Sequence, residues 1–147
     1  MDVLPIFITI AGFIVGLGAV TVIDIHGFLA RKSHYWTEAT IRSHKVTKPL
    51  IWVGIFLVLL GTIFLFQSGY ISESQLVTRL LLIAVLIVNG CFLSFSISPK
   101  LLQQEKDGNS DKLLTKKMQK NITISFLISF FGWWSLVLLF ASQVFTS

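Results

Sequence analysis

Residues 4–34 read LPIFITIAGFIVGLGAVTVIDIHGFLARKSH, and this stretch decides the fold. Its apolar part runs from Leu4 to Ile25, which is long enough to cross the membrane, because about 30 Å of hydrocarbon takes roughly 20 helical residues. Asp2 precedes the run, where a secretory signal has basic residues, and basic residues follow it instead. The stretch is therefore interpreted as a retained transmembrane helix.

Three more apolar stretches of similar length follow along the chain: Pro49 to Phe66, Leu76 to Ile97 and Ile122 to Phe145. Of the 147 residues, 54% are hydrophobic and 13% are charged, and the mean hydropathy is +0.79. These values are typical of a polytopic membrane protein. We expect an all-α, antiparallel bundle of four transmembrane helices that forms a single domain over residues 1–147, with the lipid bilayer as its partner.

Basic residues predict the orientation of the bundle. The connections 26–48 and 98–121 contain eleven of the twelve Lys and Arg residues, and the short connection QSGYISESQ contains none. We therefore expect both basic connections in the cytoplasm, both termini outside it, and a multi-pass protein of the bacterial inner membrane. No soluble fold presents these residues to a nucleic acid, so that partner is not expected.

The basic connections also contain helix signals. In 26–48, Thr37 is a possible N-cap, Glu38 and Arg42 have the spacing of a helical pair, and Pro49 suits a fresh helix start. A short helix leading into the second span is expected. In 98–121, the segment DGNSD predicts a flexible centre between two polar helical extensions.

Small residues indicate how the helices pack, because small side chains let helix backbones approach in lipid. One such face holds Thr9, Gly12, Gly16 and Ala19, and another holds Ser125, Ser129 and Gly132. Asp24 and His26 flank the first face, so both are expected to point into the bundle. Two interpretations stay open: a functional site, or polar groups at a helix end in the interface.

The third span adds Arg79 and Asn89. Asn89 needs a hydrogen-bond partner in the bundle, which an interhelical contact or a ligand would supply. Arg79 would either reach the outer surface or hold an anionic group there. Trp133 and Trp134 lie near mid-span, where they fill the bundle or suit a flat ligand such as a porphyrin or quinone.

All three histidines, His26, His34 and His44, lie at the predicted cytoplasmic side. Imidazole suits haem iron, copper and zinc. His26 and His44 close the ends of successive antiparallel helices, so they are the proposed metal ligands, and the proposed metal is the iron of haem b. Asp24 is the proposed partner that orients an imidazole, and Arg79 and Asn89 complete the set of cofactor-binding candidates.

The chain shows a family resemblance in the first helix ending in Asp24, the segment KPLIWVGIFLVLLGTIFL and the third span RLLLIAVLIVNGCFLSFSISPKL. In these parts it resembles four-helix bacterial membrane proteins related to the CopD copper-resistance and HemJ protoporphyrinogen-oxidase groups. In those groups a basic residue opens the third span and a proline lies near its end, as Arg79 and Pro99 do here. The resemblance implies a bacterial inner membrane and a link to haem, porphyrin or copper. The first-span histidine of the HemJ group has no counterpart among residues 6–10.

Three functions follow as hypotheses, and the sequence does not settle whether the protein is an enzyme. The first is binding of haem b or a porphyrin in the cytoplasmic half of the bundle, for redox chemistry or cofactor handling. The second is a non-catalytic accessory or scaffold subunit of a larger membrane complex. The third is a small oligomeric transporter or channel with Asp24 as its ion or proton group.

Overall fold

The computed structural model describes residues 3–146, with side chains described through residue 143. Within that range the chain is helical and contains no strand. The helices are α1 (Val3–Leu29), α2 (His34–Gln67), α3 (Glu73–Phe92), α4 (Ser98–Lys106) and α5 (Lys116–Thr146), and a π-helical turn, Leu93–Ile97, joins α3 to α4 without a break. The predicted all-α class is confirmed.

Four helical segments of this structure are long and apolar enough to cross a membrane: α1, α2, α3 with α4, and α5. Only about a third of the residues in each apolar window are buried inside the protein. Large apolar side chains such as Ile14, Val88 and Leu138 point outward instead. Such a surface is unfavourable in water and suits hydrocarbon. The protein is therefore a multi-pass membrane protein built as a four-helix bundle.

Helices α1 and α2 touch through their backbones. A Cβ atom added to Gly54 would lie 2.3 Å from the Cα of Gly16, and one added to Gly12 would lie 2.8 Å from the backbone nitrogen of Val58. One added to Gly61 would meet the backbone of Thr9 at 2.9 Å. The predicted small-residue face of α1 is buried as expected. Its partners are the glycines of α2, because only residues without a side chain permit this approach.

Helix α5 closes the bundle against this pair and α3. The ring of Trp133 is 1% exposed and packs among Val20, Val58 and Leu86. It lies next to Gly16, where an added Cβ would meet the ring at 2.3 Å. Trp134, the next residue, is 44% exposed and faces outward. One of the two adjacent tryptophans thus fills the bundle, and the other faces the surroundings.

Helix α2 begins earlier than the sequence predicts. Its N-cap is Ser33, whose hydroxyl accepts a hydrogen bond from the Trp36 amide, and not Thr37. The expected short helix is present, with Glu38 and Arg42 paired at 2.5 Å. It continues into the span, however, so Pro49 lies inside a helix and does not start one. Proline removes a single backbone hydrogen bond there, and the surrounding turns continue the helix.

The two polar connections, residues 30–33 and 107–115, lie together at one end of the bundle, which we call the basic end. Leu101 of α4 and Leu114 pack there on Ile41 of α2 and Ile97. Lys45 of α2 pairs with Glu105 of α4 at 2.7 Å. The predicted helical extensions on both sides of DGNSD are confirmed as α4 and the first turns of α5. The side chains of these extensions therefore pack on one another at the basic end, beyond the apolar part of each helix.

Candidate functional site

A cavity of about 70 Å³ lies near the basic end, between α1, α2, the π-helical turn and α5. Three ionisable side chains, those of Asp24, His44 and Lys48, contribute to its wall. The rest of the wall is mostly apolar, including Ile51, Trp52, Leu93, Ile97, Leu101 and Phe126. Ionisable groups gathered in an apolar cavity of a membrane protein are costly, which makes this the candidate functional site.

Helix α2 places His44 and Lys48 on one face because they are four residues apart. Thr40, another four residues earlier, lines the same cavity. The Nε2 atom of His44 is buried and has no hydrogen-bond partner among the described residues. A buried polar atom without a partner carries a desolvation cost that water or a ligand would remove. The Nε atom of Arg79, far from the cavity, is a second such atom among the described residues. The His44 atom is the one that belongs to a residue of the cavity wall.

Asp24 reaches the cavity from α1, near the end of the apolar stretch. Among residues 3–143 the ion pairs join Glu38 to Arg42 and Lys45 to Glu105, so neither Asp24 nor Lys48 is neutralised by one. Asp24 also lines a smaller recess beside Arg31 and Thr123, and these two side chains are hydrogen-bonded to each other. The acid, the imidazole and the amine thus remain available to a ligand. The predicted inward orientation of Asp24 agrees with this position.

The π-helical turn supplies the third wall of the cavity through Leu93, Ser94 and Ile97. The indole nitrogen of Trp52 donates a hydrogen bond of 3.3 Å to the hydroxyl of Ser94, which fastens this turn to α2. A π-helical turn inserts one residue into a helix and is frequent at functional sites. Sequence reasoning missed Lys48, Trp52 and Ser94 as site residues. The spacing of Lys48 from His44 was the available signal.

His26 has a different environment from His44. Its Nδ1 atom lies 3.0 Å from the hydroxyl of Ser43, and its ring lies 5.3 Å from the ring of Trp36. His26 is not among the residues that line the cavity. The reason is the register of the α1–α2 pair, which sets His26 against Ser43 while His44 faces about 100° away around the helix. Joint binding of a metal by the two histidines stays a prediction.

Asn89 lies outside the cavity and joins α3 to α5. Its side-chain amide donates to the Ser125 carbonyl at 3.0 Å and to the Ser129 hydroxyl at 2.9 Å, and its oxygen accepts from the Ser125 hydroxyl at 2.7 Å. The interhelical hydrogen bond, one of the two open interpretations, is therefore what the structure contains. The same contact explains why Ser125 and Ser129 face inward.

Arg79 lies far from the cavity, near the opposite end of the bundle. Its side chain is 3% exposed, so it does not reach the surface. One guanidinium nitrogen donates to the Leu139 carbonyl at 3.2 Å and to the Gln143 side chain at 2.6 Å. Arg79 thus fastens α3 to the C-terminal part of α5, where carbonyl groups favour a cation. The five predicted site residues divide among four places, and only Asp24 and His44 line the cavity.

No group of three or more His, Cys, Asp or Glu side chains in the described part of the chain is arranged to hold a metal ion. The single cysteine, Cys91, is a half-buried free thiol. Fold and site together define a class of protein: a four-helix membrane protein with ionisable side chains in a cavity near one end. Comparison with protein-family models, with curated proteins and with solved structures finds no match.

Proposed function

We propose that the protein binds a small amphipathic ligand in this cavity, with the polar end of the ligand at Asp24, His44 and Lys48. The observation that carries the proposal is the buried, unpartnered Nε2 atom of His44 in the cavity wall. Lys48 and the imidazole N–H of His44 would donate to an anionic group of the ligand, and Asp24 would accept from a hydroxyl or amine. Trp52, Leu93 and Phe126 would contact its apolar part.

The apolar wall argues for an amphipathic ligand rather than a free ion. An ion that has lost its water shell needs polar groups all around it, whereas the polar groups of this cavity are few and come from α1, α2 and the π-helical turn. Ligand sites generally combine an apolar wall with a few polar groups that set orientation. The same combination disfavours a transport path for ions, since a path needs polar groups along its length.

Haem b is a second candidate, because His44 lines the cavity and its Nε2 atom has no hydrogen-bond partner among the described residues. The resemblance to the HemJ group is the other reason to test it. The cavity of about 70 Å³ is smaller than the roughly 300 Å³ at which small-molecule pockets begin, so a porphyrin does not fit unless the helices separate. His26 does not line the cavity either. We derive no chemical step from haem.

The experiment uses the purified full-length protein in mild detergent and two probes, isotope-labelled butyrate and haem b. Butyrate is a small anionic amphiphile, and its binding is measured by equilibrium dialysis. We expect binding to the natural protein, and a loss of about tenfold or more for His44→Ala, because a charge-assisted hydrogen bond contributes about 1.5–3 kcal/mol. His34→Ala is the matched control, since His34 is exposed at the same end.

Haem is tested by absorbance on the natural protein, His44→Ala and His26→Ala. A Soret band that is lost in His44→Ala and kept in His26→Ala would assign haem to the cavity through one histidine. Loss of the band in both variants would support the predicted pair of ligands. If neither probe binds more tightly to the natural protein than to His44→Ala, the proposal is wrong. Co-purification of a fixed protein partner, unchanged by His44→Ala, would then favour the accessory-subunit hypothesis.

A further inference from the structure

A groove of about 560 Å³ runs along the outside of the bundle between α3 and α5. It shares no lining residue with the cavity that contains His44. Its α3 side is formed by Leu81, Val85, Val88 and Phe92, and its α5 side by Ile124 and Ile128. Val88 is 70% exposed and Leu81 is 63% exposed, so the groove opens to the surroundings. In a membrane those surroundings are acyl chains.

The polar groups near the groove are satisfied by the protein itself. Asn89 and Ser125 lie in its floor, but they are hydrogen-bonded to each other across the α3–α5 contact. No carboxylate is among the residues that line it in the described structure. The body of the groove therefore offers apolar contact and shape, which suits a hydrocarbon chain.

The end of the groove that faces the basic end has a different character. Asn121 lines it there, in the second turn of α5. Lys117 precedes Asn121 by four residues, and Ile124 and Ile128 follow at spacings of three and four, so all four occupy one face of the helix. Lys117 is exposed, and Lys120 flanks the same face. A positive group thus stands above an apolar groove at the level where the membrane-spanning part of α5 begins.

We propose that this groove is a binding site for an anionic phospholipid, with one acyl chain between α3 and α5 and the headgroup phosphate at Lys117 and Asn121. Charge complementarity at the end and apolar lining along the length together select this ligand. A zwitterionic phospholipid offers the same chain but a headgroup without net charge. Lys117 then discriminates between the two, because basic residues near a membrane surface favour anionic lipids.

The test is native mass spectrometry of the full-length protein in mild detergent with equal amounts of palmitoyl-oleoyl phosphatidylglycerol and palmitoyl-oleoyl phosphatidylcholine. We expect the natural protein to retain the anionic lipid in excess. Lys117→Gln is expected to lower the ratio of the two retained lipids about fivefold, the effect of one lysine at a charged lipid surface. Lys112→Gln removes the same charge from the connection 107–115 and is expected to leave the ratio unchanged.

A second variant tests the groove itself. Val88→Trp fills it and is expected to lower retention of both lipids without changing their ratio, and Ala84→Leu serves if Val88→Trp does not fold. Equal retention of the two lipids by the natural protein would overturn the proposal. An equal effect of Lys117→Gln and Lys112→Gln would also overturn it, because diffuse attraction to all lysines would then suffice. A complex of two chains that Val88→Trp dissolves would assign the groove to a second copy instead.

Discussion

Gly54 is the residue at which the α1–α2 contact is tightest. A Cβ atom there would lie 2.3 Å from the Cα and 2.5 Å from the nitrogen of Gly16, and both are backbone atoms that no rotamer change relieves. Gly18 is the matched opposite, since it is exposed and an added Cβ meets nothing within 4 Å. The two positions differ in packing although both are glycines in membrane-spanning helices.

We expect Gly54→Ala to destabilise the protein by about 1–3 kcal/mol, because the helices must separate along their contact. Gly18→Ala is expected to change stability by less than about 0.5 kcal/mol, as outward-facing substitutions usually do. Thermal unfolding of both variants in detergent is measured by size-exclusion chromatography of samples heated to a series of temperatures. Equal midpoints would contradict the close α1–α2 contact.

Asn89 and Ser125 provide a second test at the residue scale, because the Ser125 hydroxyl donates a hydrogen bond to the side-chain oxygen of Asn89 between α5 and α3. A double-mutant cycle of Asn89→Ala and Ser125→Ala measures this side-chain coupling, since Ser125→Ala keeps the backbone carbonyl that Asn89 also contacts. We expect a coupling energy of roughly 0.6–1.7 kcal/mol, the range found for hydrogen bonds between transmembrane helices. The same cycle with Asn89→Ala and Ser142→Ala, whose side chain is exposed, is the control. Additive effects of Asn89→Ala and Ser125→Ala would contradict the hydrogen bond between the two side chains.

At the scale of elements, the π-helical turn accommodates one residue more than a regular helical turn does, by winding less per residue. Deletion of one residue from the turn therefore restores a regular helix and leaves the rotation of α4 relative to α3 nearly unchanged. Insertion of one further residue there rotates α4 by about 100°. Leu101 would then leave its contacts with Ile41 and Leu114, and Glu105 would turn away from Lys45.

We predict that insertion of one alanine after Ser96, which is exposed in the turn, separates positions 45 and 105, and that deletion of Ser96 does not. In a Cys91→Ser background, Lys45→Cys and Glu105→Cys are joined by a flexible bis-maleimide, and the yield of the cross-link is read on a gel. The natural turn and the deletion should give a high yield and the insertion a low one. Deletion of Leu113, which follows α4 in the chain, is the control and should leave the yield unchanged. A cross-link that persists after the insertion would show that the length of the turn does not set the rotation of α4.

At the scale of the whole molecule, the bundle has one end rich in lysine and one end without it. The distribution of basic residues predicts that residue 110 lies in the cytoplasm and residue 74 outside. In the Cys91→Ser background, Ser74→Cys should react with a membrane-impermeant maleimide in intact cells. Ser110→Cys should react only after the cells are opened. The reverse pattern would invert the orientation.

Much of the fold was predictable because helix length and hydropathy are local properties of the chain. The four spans, the small-residue faces and the helical extensions around DGNSD all follow from short-range patterns. The continuous helix through Pro49 did not follow, since the packing of α1 along α2 outweighs the local preference of proline to start a helix. The π-helical turn likewise has no local signal in LSFSI.

The candidate site was predicted in part, and the division has a physical reason. Asp24 was expected to face the bundle because its spacing from Gly16 is periodic, and spacing within one helix is a property of the sequence. The register between helices decides the other contacts. It pairs His26 with Ser43, places Arg79 far from the cavity, and brings Asp24 to the same cavity as His44 and Lys48. Length and hydrophobicity are enough to predict four membrane-spanning helices with a basic end. Which ionisable groups share a cavity depends on the tertiary structure, because backbone contacts at glycines set the register of α1, which carries Asp24, against α2, which carries His44 and Lys48.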